Sequence, residues 1–298
     1  MYKFIKRWML PLAMLTGIAA YPLLSPLIFL TPFLVFAMLL LTFCKLSPHD
    51  IHIRPAHLWL LLIQLTGSIA VYAAICPFNP LVAQGALVCI LVPTATAAVV
   101  ITGMLGGNVA FITTYQLLSN IAVALAAPAI FSLVGTHTQM PFLESFLYIC
   151  RRIVPVLILP LFLAWLMRSL APAVHRRLTA LQEVSFYIWS FSLTLVTAST
   201  VNSLVNQETH NYTVEFSLAA VSLLICIGQF LLGRRIGRHY GDSVSAGQGL
   251  GQKNTILAIW MAHAYLNPIS SIAPAAYVLW QNLINSLQLW RKDKRQGK

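Results

Sequence analysis

The chain has 298 residues, of which 58% are hydrophobic and 9% charged, against about 45–50% and about 25% in soluble domains. No polar stretch is long enough to form a soluble domain, so one integral membrane domain fills 1–298. The net charge of +12 is divided among separate short segments, which excludes a nucleic-acid footprint and reads as positive-inside bias with some attraction to anionic lipid.

A membrane-crossing helix needs about 20 residues. The apolar runs predict an all-α polytopic protein with ten spans, at 8–24, 28–44, 57–76, 81–105, 108–134, 153–167, 184–201, 216–232, 244–266 and 268–290. The first has the basic start of a signal peptide, but in a multispan chain it reads as an uncleaved helix.

With the N-terminus inside, the inner segments hold Lys3, Lys6 and Arg7; Lys45 and Arg54; Arg168, Arg176 and Arg177; Arg234, Arg235 and Arg238; and a basic tail at 291–298. All but three of the 19 Lys and Arg lie there, so both termini are cytoplasmic. The exceptions are Arg151, Arg152 and Lys253. The two arginines follow 141–150, a segment suited to the membrane interface; they snorkel at the head of the sixth span or capture an anion.

Cys44, Cys76, Cys89, Cys150 and Cys226 are scattered, with no CxxC pair and no metal spacing. There is no Walker A or HExxH motif, and Gly247, Gly249 and Gly251 lack the spacing of a dinucleotide loop. No Asp or Glu falls inside a span, so no Ser-His-acid set can assemble there; neither an enzyme nor a cofactor is expected. The sequon at Asn211 has no consequence in a bacterial inner membrane, the location that the short loops and compact size indicate.

Two spans are broken at corresponding places in the two halves. The fourth carries Val92-Pro93-Thr94-Ala95-Thr96, where proline removes a backbone donor and the threonines can satisfy the freed groups. The ninth carries a glycine-rich run from Ser245 that ends at Gln252-Lys253-Asn254-Thr255. Five spans followed by five, each with its fourth broken, form two inverted repeats, about 1–134 and 142–290, with a site near the midplane, as in a secondary transporter. A channel or non-transporting scaffold is the competing class, and it leaves the matched breaks unexplained.

Lys253 is the one cation placed deep in a span. Such a charge costs roughly 2.5–3.5 kcal/mol on insertion and marks a working site. About ten residues of helix separate it from either membrane face, about 15 Å, beyond the reach of a snorkelling lysine unless a cavity intervenes. Thr94, Thr96, Gln252, Asn254 and Thr255 flank the breaks, where half-helix N-termini can face an anion. Asn108, Gln116 and Asn120 share the fifth span, and the latter two lie one turn apart, lining a cavity or bonding between helices. His263 in the ninth span reads as an interior hydrogen-bonded histidine or a proton relay.

Pro93 to Ala97, Gly107-Asn108-Val109-Ala110 and Ala127-Pro128-Ala129-Ile130-Phe131 resemble the fourth and fifth helices of the bile acid:sodium symporter family. Gly251-Gln252-Lys253-Asn254-Thr255-Ile256-Leu257-Ala258 is similar to its ninth helix, and Pro274 to Asn282 to its tenth. The resemblance implies a panel of spans one, two, six and seven, a core of spans three to five and eight to ten, and crossing of the fourth and ninth spans at their unwound centres. It also implies amphipathic organic anions as substrates: bile acids, steroid sulfates or smaller carboxylates.

The departures concern sodium. The family's first sodium site aligns with Ala98, Val99, Ile112, Gln116 and Gly249, and four of these five supply no side-chain oxygen. A hard cation needs a shell of oxygen ligands, so no sodium is expected there. The second site would use Gln64 and the position that is Lys253 here. A fixed ammonium repels a second cation, so the resemblance implies that Lys253 replaces the ion, donating to the carbonyls of the broken helix and to Gln64. Transport is then sodium-independent, and two mechanisms stay open: Lys253 exchanges a proton in each cycle, or it remains a permanent cation in a uniporter or exchanger. Sodium- or proton-coupled uptake of a small carboxylate is the alternative.

Overall fold

The computed structural model describes residues 2–46, 51–135, 141–206 and 211–295. Helix dominates, because a backbone surrounded by hydrocarbon must satisfy its polar groups internally. In chain order the α-helices are α1 (Tyr2–Ala19), α2 (Tyr21–Leu24), α3 (Thr31–Phe43), α4 (Pro55–Ile75), α5 (Pro80–Leu91), α6 (Ala97–Leu105) and α7 (Val109–Val134). They continue with α8 (Phe142–Leu170), α9 (Pro172–Ala180), α10 (Gln182–Val205), α11 (Tyr212–His239), α12 (Ser243–Gly251), α13 (Thr255–Tyr265) and α14 (Ile272–Arg295).

Asn and Asp side chains start many of these helices. Asn79, Asn108, Asn211, Asp242 and Asn254 each accept from a backbone N–H in the first turn of α5, α7, α11, α12 and α13. These caps satisfy donors that helix geometry leaves open. Prolines open α4, α5 and α9, where the missing N–H costs nothing.

Among the described residues six helical runs are long and apolar enough to cross a membrane: Tyr21–Phe43, Pro55–Ile75, Val109–Val134, Phe142–Leu170, Val184–Val205 and Tyr212–His239. The halves Pro80–Leu91 and Thr255–Tyr265 are apolar but shorter. One group of helices packs α1 and α3 against α10 and α3 against α8; another joins α4, α5, α7, α11, α12 and α14. The two groups meet where α7 lies on α8 and α13 on α3 and α10.

Several boundaries depart from the hydropathy reading. The first helix stops at Ala19, and 21–43 is one bent run whose 3-10 turn Ser25–Leu30 contains Pro26 and lies between Pro22 and Pro32. The segment 141–150, expected at the interface, forms the first turns of α8, so Arg151 and Arg152 lie well inside that helix; Arg152 stacks 4.6 Å over the Tyr148 ring. Helix α11 runs on to His239 and α14 to Arg295, so Arg234, Arg235 and Arg238 and likewise Arg291, Lys292, Lys294 and Arg295 are helical. Lys and Arg end an apolar window but are good helix formers, so the helix outlasts the hydropathy. Residues 296–298 lie outside the described residues.

Candidate functional site at the crossing of two interrupted helices

Helix α5 ends because Val92 precedes a proline and takes an extended conformation (φ −56°, ψ 150°). Gln252, after α12, is extended too (φ −94°, ψ 102°). The two extended stretches pair antiparallel, with Thr94 opposite Lys253. Ala95 N donates to Gln252 O at 3.0 Å and Asn254 N to Pro93 O at 2.9 Å. Each break thereby supplies backbone partners for the other.

The last carbonyls of α5 cannot be met within the helix, and side chains from three directions meet them. Gln229 Nε2 of α11 donates to Cys89 O at 3.2 Å. Lys253 Nζ donates to Ile90 O at 2.8 Å and Val92 O at 3.2 Å. Gln64 Nε2 of α4 donates to Leu91 O at 2.8 Å and Val92 O at 3.0 Å. Lys253 is only 1% exposed, and its ammonium lies at the negative end of a half-helix dipole. The carbonyls replace the water it has lost, a requirement for any buried charge.

Gln64 therefore sits beside Lys253 and is not its acceptor, contrary to the expectation from sequence. Its Oε1 accepts from Tyr115 OH at 2.8 Å and Ser119 Oγ at 2.9 Å. The partner break is served in mirror fashion. Thr94 Oγ1 donates to Gly249 O at 2.7 Å and Tyr277 OH to Gly251 O at 2.9 Å. Gln281 Oε1 accepts from Lys253 N at 2.9 Å. Gln252 Oε1 accepts from Asn285 Nδ2.

The glycine-rich run expected to break the ninth span is itself helical, as α12; the break falls just after it, at 252–254. The glycines serve close packing. A Cβ on Gly251 would run into the Phe230 ring, and one on Gly247 into the Arg234 side chain.

Asn254 caps α13 and Thr255 is buried in its first turn; Thr96 stands at the start of α6, partly exposed, without capping it. Asn108 caps α7, and its backbone N–H meets Ser245 Oγ at 2.7 Å, at the far end of α12 from the crossing. Gln116 and Asn120 are linked through Asn120 Nδ2 and Gln116 O at 2.7 Å; Gln116 Nε2 has no partner among the described residues. His263 Nε2 likewise has none there, so the expected interior hydrogen bond is not made at that nitrogen. The structure brings together Lys253, Gln252, Asn254, Gln64 and Thr94, and leaves Asn108, Gln116 and His263 without a bond to that group. Tyr115, Ser119, Gln229, Tyr277 and Gln281 belong to it and went unnoticed in sequence. Their signal was modest: polar groups inside apolar spans, Tyr115 and Ser119 one turn apart.

Ala98 and Ile112 belong to an apolar cluster with Ala56, Leu60, Phe111, Tyr115, Ala246 and Leu250, and Val99 packs against it. Gly249 faces the same place: an added Cβ would lie 2.8 Å from Tyr115 Cδ1. The aromatic ring fills the room that a larger side chain at Gly249 would need.

An all-helical chain with several membrane-length apolar helices, and two interrupted helices that terminate in each other, is a polytopic membrane protein of the transporter type. The family model of the SBF-like CPA transporter family matches residues 14–284. The chain belongs to that family of bile acid:sodium symporter-like membrane transporters. No curated protein matches it.

Proposed function

We propose that the chain is a secondary transporter of amphipathic organic anions that works by alternating access without sodium, with Lys253 standing in place of the ion. Its ten spans form two inverted five-helix repeats, about 1–134 and 142–290, arranged as panel and core in a bacterial inner membrane with both termini cytoplasmic. The observation that carries this reading is the pair of bonds from Lys253 Nζ to Ile90 O and Val92 O, carbonyls of the kind that coordinate a coupling cation at an unwound helix. The residues aligned with the first sodium site do not fit the ion either: Ala98, Val99, Ile112 and Gly249 offer no side-chain oxygen, and Tyr115 packs among them. The N-termini of α6 and α13, with Thr96, Asn254 and Thr255, offer backbone donors to the anionic group of a substrate.

Reconstituted vesicles test it. Uptake of bile acids, steroid sulfates, keto acids or pantoate-like carboxylates is expected to saturate and to be unchanged when sodium replaces choline. Strong stimulation by an inward sodium gradient refutes the lysine-for-sodium reading, and linear flux at channel-like rates refutes the carrier. Stimulation by an imposed proton gradient selects the proton-exchanging form of Lys253, and no stimulation selects the permanent cation.

A further inference from the structure

At one end of α11 the side chains of Leu231, Arg234, Arg235 and Arg238 line an open cleft of about 470 Å3. Arg234 is held in place: its Nη2 donates to Gln288 Oε1 of α14 at 2.8 Å, and its stem lies across Gly247, where a Cβ would meet Arg234 Cγ at 2.6 Å. Arg238 and Arg291 lie near enough for like-charge repulsion with it, and no described carboxylate forms an ion pair with these arginines. The acid nearest in sequence, Asp242, caps α12 through Oδ1. Its Oδ2 has no partner among the described residues.

Beyond the cleft the same face of the helix turns apolar. Phe216, Leu224, Ile227 and Leu231 follow at helical spacing and are all exposed, a surface for acyl chains in a membrane span. A cationic notch continuous with a lipid-facing stripe matches one class of molecule: a phosphate joined to hydrocarbon chains. We propose that this cleft binds an anionic phospholipid, its phosphate held by Arg234, Arg235 and Arg238 and an acyl chain along Leu231, Ile227 and Leu224. General attraction of basic segments to an anionic leaflet needs only loose charge. A guanidinium fixed by an amide on a neighbouring helix is preorganised for bidentate phosphate contact. Occupancy would tie α11 to α14 at the arginine-bearing end of α11.

The test uses the detergent-solubilised full chain and its thermal midpoint with added phosphatidylglycerol, phosphatidylethanolamine or inorganic phosphate. Phosphatidylglycerol is expected to raise the midpoint and the other two to leave it unchanged. The exposed pair R235Q/R238Q is expected to lose at least half of that shift, while R176Q/R177Q on α9, an equal loss of exposed charge, keeps it. The proposal is overturned if phosphatidylethanolamine or free phosphate stabilises as well as phosphatidylglycerol. It is also overturned if R235Q/R238Q keeps the full shift, or if R176Q/R177Q loses as much.

Discussion

Thr94 and Lys253 face each other across the two helix breaks, and each caps the half-helix that leads into the other. Thr94 Oγ1 reaches Gly249 O, four residues before Lys253; Lys253 Nζ reaches Ile90 O, four residues before Thr94. The chemistry differs, hydroxyl against ammonium, but the geometry is reciprocal.

Thr94→Val keeps the shape and removes the donor, leaving Gly249 O buried and unmet. A buried carbonyl without a partner costs about 1–3 kcal/mol, so the thermal midpoint should fall by several degrees, and Thr94→Ser should recover most of it. Equal midpoints for the Val and Ser variants would show that the hydroxyl contributes nothing.

Lys253→Gln restores the residue that the symporter pattern has at this position but cannot place a charge between Ile90 O and Val92 O. We expect uptake to fall more than tenfold in vesicles, with the variant still folded by size-exclusion chromatography. Any response of the parent to an imposed proton gradient should vanish with it. Parent-like uptake and pH response in Lys253→Gln would remove Lys253 from the mechanism.

Gln64→Leu removes two donated bonds to Leu91 O and Val92 O and leaves the hydroxyls of Tyr115 and Ser119 without their acceptor. With several buried groups unpaired at about 1–3 kcal/mol each, this is expected to be the most destabilising single substitution at the crossing, read by the denaturation midpoint against Thr94→Val. A loss smaller than that of Thr94→Val would contradict the bonding described.

Gly251→Ala places a Cβ against the Phe230 ring. Overpacking of this kind costs about 1–3 kcal/mol. Combining it with Phe230→Leu should give a smaller loss than the two single effects added, since the clash and the ring disappear together. Strict additivity would place the strain elsewhere.

Much of this arrangement is legible in sequence where a side chain imposes a backbone rule. Pro93 lacks an N–H and restricts Val92 before it, which favours a break there, although Pro128, Pro155 and Pro160 sit inside continuous helices; Lys253 stands out by hydropathy alone. The ninth break extends less far back than the glycines suggest, because glycine has two uses in a membrane helix, freeing the backbone or admitting a neighbour, and only the Phe230 and Arg234 side chains decide for packing. The resemblance implies carbonyls of a broken helix as acceptors for Lys253, but not which ones. They are main-chain carbonyls of Ile90 and Val92, and an isoleucine or valine carries no mark of what its carbonyl will meet. Gln64 was found through the family pattern, yet its donors Tyr115 and Ser119 were not, because a hydroxyl in a span is as often bonded to its own helix, as Thr66 is to Leu62 O.

The covalent attachment of Lys253 has a thermodynamic consequence for the proposed cycle. A sodium ion held by the same carbonyls would be released on one side and rebound from the other, carrying the energy of its gradient into every turnover. An ammonium on its own tether returns with the protein, so a permanently charged Lys253 does no net work over a complete cycle. Substrate would then run down its own electrochemical gradient, and the membrane potential would act on the anion alone. Only the loss and recapture of a proton at Nζ would let this site drive accumulation.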